Sequence, residues 1–123
     1  TSLILLFEVA GKKLLFPGDA QLENWQHALA KPGVQNMLAT TSLYKVGHHG
    51  STNATPRESL WGRFTNRGPA SKPGRLITLL STKKCSHDDV PRESLEDALT
   101  EQSKLYDTQD LEERGEIKVT VEL

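Results

Sequence analysis

Apolar residues come in short runs along this chain, and the breaks between them outline its elements. Leu3 to Val9 is an apolar, β-compatible run and Lys13 to Phe16 is a second. Ala10-Gly11-Lys12 links them as a hairpin link would, so two antiparallel strands are predicted. Pro17-Gly18-Asp19 breaks that pattern, and from Ala20 to Ala30 the residues Leu22, Trp25 and Leu29 recur at helical spacing. Asp19 thus falls at a strand-to-helix junction. Residues 31 to 42 read as loop with a weak helical turn. Leu43 to Val46 forms a short strand that runs into Gly47-His48-His49-Gly50-Ser51. Thr55-Pro56-Arg57-Glu58 combines an N-cap Thr, Pro at the first helical position and Glu at the third, which predicts a helix through Phe64. Asn66 to Gly74, with its prolines and glycines, is a surface loop.

Arg75 to Ser81 is the most strand-like run and reads as buried on both faces. Lys83 to Asp89 is a polar connection that contains His87. Pro91 to Lys104 sets Leu95, Ala98 and Leu99 on one helix face. Leu105 to Thr108 and the alternating Glu116 to Leu123 are closing strands joined through a turn at Gly115. The pentapeptide PRESL occurs at 56–60 and 91–95, both at predicted helix starts where Pro and Glu are favoured, so it does not mark a repeat. This order of elements predicts an α/β chain, in an α+β layered arrangement with helices covering one face of a mixed sheet.

Composition narrows the function. With 123 residues, 36% hydrophobic and 25% charged, the chain fits one globular domain. A net charge of −1 gives no overall basic field, so a phosphate-bearing substrate would have to be held locally. Lys12, Lys13, Lys45, Arg57 and Arg63 are cations able to meet a nucleic-acid backbone, although scattered cations are ordinarily solvated surface. The longest apolar run, Leu3 to Phe7, is too short to span a bilayer, and no signal sequence can be made out. Cys85 is the only cysteine, which excludes intrachain disulfides and thiolate zinc clusters and leaves His and carboxylates as metal ligands. The opening Leu-Ile-Leu-Leu-Phe reads as the middle of a buried strand, so a fragment of a longer domain is expected.

Three candidate positions fall directly after predicted strands. Asp19 either caps the following helix or presents a carboxylate at the strand's carboxyl end, where α/β folds place functional groups. His48 and His49 lie between glycines that would let backbone approach a ligand. Adjacent strand residues point opposite ways, so one of the pair faces a given site unless the chain turns between them. His87 lies beyond the next strand, beside Asp88 and Asp89, which are candidate caps for the helix that follows. His27 is a solvated helix position. Were the strands neighbours in one sheet, Asp19, His48 or His49, and His87 would converge on one edge.

SLILLFEVAGKKLLFPGDA, LYKVGHHGS, RLITLLSTKKCSHDDVP and LYDTQDLEERGEIKVTVEL together resemble the second half of the metallo-β-lactamase superfamily, in particular the hydrolase domain related to the DNA-uptake channel protein ComEC. The resemblance covers nearly the whole chain and rests most on HHGS after a hydrophobic strand, at this distance from a Gly-Asp. It implies the C-terminal half of an αββα sandwich over residues 1–123. Asp19 would be the carboxylate bridging two divalent ions, Zn²⁺ or alternatively Mn²⁺. His48 would be a ligand or a proton donor and phosphate contact, with His49 beside it, and Ser51 or Thr52 would orient the histidines. His87 would ligate the second ion, although Ser86-His87-Asp88 stands where Gly-His-Pro is usual. Thr108 would be structural.

The superfamily's early motif, His-x-His-x-Asp-His, is not in the chain. Four histidines do not complete a two-metal site, so the resemblance implies that the remaining ligands, and the second sheet, come from a missing N-terminal half or a partner chain. Without that sheet the apolar face of Leu3 to Phe7 and Arg75 to Ser81 should lie open. The function expected is metal-dependent hydrolysis of nucleic acid or another phosphodiester, as in a competence nuclease. A metal-free scaffold or interaction module on the same fold is the alternative.

Overall fold

A computed structural model describes residues 3–47, 55–81, 93–108 and 115–121. The chain begins with a hairpin, β1 (Leu5–Val9) against β2 (Lys12–Phe16), in antiparallel register from Leu5↔Phe16 to Val9↔Lys12. Its link is the two-residue Ala10-Gly11, with φ of 48° and 81°. Two positive φ values are what a type I′ turn requires, and this turn follows the right-handed twist of the strands. Ala10 accepts a backbone that favours Gly or Asn in order to close the hairpin.

Three further strands add in parallel: β3 (Leu43–Lys45), β4 (Ile77–Leu80) and β5 (Lys104–Asp107), giving the sheet order β1-β2-β3-β4-β5. The helices are α1 (Leu22–Leu29), α2 (Val34–Ala39) and α3 (Glu93–Gln102), with a short 3-10 helix at Trp61–Arg63. The fold is therefore mixed α/β, a five-stranded mixed sheet with three α-helices among the described residues, as the sequence pattern predicts.

The sheet grows in sequence order, and right-handed crossovers between parallel strands lay the connecting helices on the same face. Burial follows that rule. Leu15, Tyr44 and Thr78 are register neighbours on this face and are fully buried. Around them pack Trp25 and Leu29 of α1, Leu38 of α2, Leu60, Trp61 and Phe64, and Leu99 of α3, in one cluster. The hydroxyls of Thr78 and Ser103 meet at 2.7 Å, and Ser103 Oγ donates to the Leu99 carbonyl at 2.5 Å, so the buried polar groups joining α3 to β4 satisfy one another.

The opposite face carries Leu5, Phe7, Val9, Leu14, Phe16, Leu43 and Ile77 by register, and it is open along the hairpin. Leu3 is 72% exposed and Phe7 and Val9 are each 49% exposed, with Phe7 and Phe16 in edge-to-face contact at 5.8 Å. On β4 this face is half-buried at Ile77 and Leu79, so β4 is fully buried on one side only, where burial on both was expected.

Two other expectations are corrected. Residues 55–64 form no α-helix. The Thr55 hydroxyl that should cap it is instead hydrogen-bonded to the Tyr44 hydroxyl at 2.8 Å. Beyond one long α-type bond, Leu60 N to Pro56 O at 3.3 Å, backbone bonds there are wide or tight: Gly62 N donates to Arg57 O at 2.7 Å and Arg63 N to Leu60 O at 3.0 Å. A Cβ at Gly62 would lie 3.1 Å from Arg57 O, so the wide turn is suited to a glycine at that point. Residues 115–121 carry no assigned strand, although Ile117, Val119 and Val121 are more buried than the polar residues between them. Alternation alone does not supply a ladder partner.

Candidate functional site

Parallel strands deliver their following loops to one edge, and β2, β3, β4 and β5 all end there. After β2 the chain turns through Pro17-Gly18-Asp19-Ala20, closed by Ala20 N donating to Pro17 O at 3.1 Å. Gly18 takes φ +58°, and the buried Pro17 and Ala20 pin both ends of the turn while Asp19 projects to solvent. The helix cap is supplied elsewhere: Gln21 N donates to Asn24 Oδ1 at 2.9 Å as part of a capping box. Asp19 therefore stands outside the helix start with an accessible carboxylate.

The neighbouring strand brings a cation to it. Lys45 ends β3, half-buried, with Nζ donating to Val46 O at 3.0 Å. Burial lowers its pKa, and the nearby Asp19 carboxylate works against that by favouring the ammonium. Lys45 appears in the sequence only as one scattered cation. Its proximity to Asp19 follows from the β2–β3 pairing, Leu15↔Tyr44, which no local pattern encodes.

Beneath this edge Tyr44 is wholly buried. Burial pushes its phenol up to about 12, with the hydrogen bonds to Thr55 and the Gly47 backbone partly offsetting the rise. The neutral phenol thus braces the backbone at Gly47, the residue before His48. A folded-state pKa above the unfolded value near 10 means that this phenol's stability is fully present below about pH 10 and is lost as pH rises toward 12, by roughly 2–3 kcal/mol in all. Denaturant midpoints across that window should fall more steeply for the native protein than for Tyr44→Phe. Equal slopes would remove Tyr44 as the alkaline weak point.

His48, His49 and His87, with Ser51, Thr52, Asp88 and Asp89, lie outside the described residues. Among the described residues no group of three or more His, Cys, Asp or Glu side chains gathers as for a metal ion. His27 is exposed on α1, the solvated position expected of it. Asp107 ends β5 at the same edge, opposite Leu80. It is three strand spacings, about 14 Å, from β2, too far to share an ion directly with Asp19. No helix of the described residues is long and apolar enough to cross a membrane. Comparison with protein-family models, curated proteins and solved structures finds no match to the chain.

Proposed function

We propose that the chain is part of a metal-dependent hydrolase of the metallo-β-lactamase type, acting on a phosphodiester such as nucleic acid. One observation carries this reading. The accessible carboxylate of Asp19 stands at the carboxyl end of β2, and the adjacent strand β3, about 5 Å away, runs on in sequence into Gly47-His48-His49-Gly50-Ser51. A carboxylate with imidazoles is the donor set that borderline divalent ions such as Zn²⁺ or Mn²⁺ take. Asp19 would bridge two ions, His48 and His87 would ligate, and His49 would donate a proton or meet the phosphate. When bound, such a pair lowers the pKa of water to supply a hydroxide and stabilises charge on the phosphoryl oxygen.

Lys45 has a definite part in this arrangement. It offsets the charge of Asp19 at the edge and, half-buried, is fixed better than a surface lysine for contact with a phosphate oxygen. The remaining ligands would come from a missing N-terminal half of the domain or from a partner chain, which would also bring a second sheet to cover Leu3, Leu5, Phe7 and Val9. The open apolar face equally favours the second reading, a metal-free scaffold or interaction module that uses the face alone. Hydrolysis of bis(p-nitrophenyl) phosphate by the full natural protein separates the two. Turnover that needs added Zn²⁺ or Mn²⁺ and stops on chelation is expected for the hydrolase; metal-independent absence of turnover is the scaffold's outcome.

A further inference from the structure

A pocket of about 280 Å³ opens between the Thr55–Arg67 segment and α3, and Asp19 is not among its lining residues. That is room for on the order of nine waters. Its walls include Trp61, Leu95 and Ala98, and its polar lining includes Arg57, Arg67 and Gln102. No carboxylate lines it among the described residues.

Two side chains of this lining, Trp61 and Arg67, define its chemistry. Trp61 is 5% exposed, and among the described residues its buried indole Nε1 has no hydrogen-bond partner, a state that is costly for a donor-only group and rare in folded proteins. Arg67 meets only neutral partners among the described residues: Nε donates to Phe64 O at 3.1 Å, Nη2 to Gly62 O at 3.3 Å and Nη1 to Gln102 Oε1, and the guanidinium lies 5.9 Å from the Trp61 ring centroid. Three of its five N–H groups are thereby used on neutral acceptors, which leaves two without an acceptor among the described residues. Arg57, exposed on the same lining, adds a second guanidinium.

We propose that this pocket binds a small organic anion, its phosphate or carboxylate head held by Arg57 and Arg67 and its flat apolar part lying against Trp61, Leu95 and Ala98. A planar guanidinium fork matches both head groups bidentately, and a ring stacked near Trp61 would fill the apolar wall. The inference does not depend on the metal site.

The chain has two tryptophans, Trp25 and Trp61, so its indole N–H resonances can be followed separately. Phenyl phosphate and benzoate, titrated into the ¹⁵N-labelled protein, should move the Trp61 indole signal saturably with Kd near or below about 1 mM, the range suited to a ligand of this size. Inorganic phosphate and phenol, each carrying half of the recognised chemistry, should bind at least about tenfold more weakly. Whichever of phenyl phosphate and benzoate binds tighter identifies the head group. Arg67→Met should weaken binding by about tenfold or more, and because Arg67 also ties the turn to α3, Arg57→Met, at an exposed side chain, provides the second arm with a similar loss. No saturable shift with either anion, equal binding of phenol, equal binding of inorganic phosphate, or indifference to Arg57→Met would each overturn the proposal.

Discussion

Trp25→Ala should be the most destabilising change in α1, lowering the unfolding midpoint well below that of the native protein. Trp25 is fully buried in the cluster that joins α1 to the sheet, and removing a core Trp costs about 3–5 kcal/mol in lost burial and cavity formation. Domains of this size are stable by about 5–15 kcal/mol, so the loss takes a large share. Thermal unfolding followed by circular dichroism should show the midpoint lowered by about 10 °C or more. Leu22→Ala, on the same helix but 43% exposed, should shift it far less. Equal shifts for the two variants would mean that α1 does not hold the sheet through Trp25.

Asp19→Ala should lower metal-dependent phosphodiester turnover by more than about a hundredfold, since it removes a carboxylate proposed to bridge both ions, and even groups behind the ligands are worth ten- to a hundredfold. The stability cost should be small, because Asp19 is exposed and the helix cap is made by Gln21 and Asn24. His27→Ala, an exposed change on α1, should keep native turnover. Turnover that survives Asp19→Ala would take the carboxylate out of the reaction, whatever the remaining chemistry.

Where the sequence carries its own geometry, the fold was legible. Ala10-Gly11 between two apolar runs announces the hairpin, Trp25 and Leu29 at helical spacing announce the buried stripe of α1, and Pro17-Gly18 places Asp19 between a strand and a helix, where it lies. The failures have a common cause, tertiary partners that local pattern does not contain. Thr55 looks like a helix cap until Tyr44, eleven residues earlier, takes its hydroxyl. Residues 116–121 alternate as a strand should but gain no ladder. Leu22 fits the helical stripe yet lies at its exposed start. Within the candidate site, Asp19 was visible as a motif, whereas the placement of Lys45 beside it required the β2–β3 register. The indole of Trp61 and the guanidinium of Arg67 gave no signal at all, because their meeting depends on the irregular turn that replaced the expected helix.

Whether Asp19 belongs to a metal centre is decided by elemental analysis of the full natural protein, purified without chelators, beside its Asp19→Ala variant. About two equivalents of zinc or manganese in the native protein, strongly reduced in the variant, are expected of a bridging carboxylate. Metal content that is absent from both, or identical in both, would contradict it.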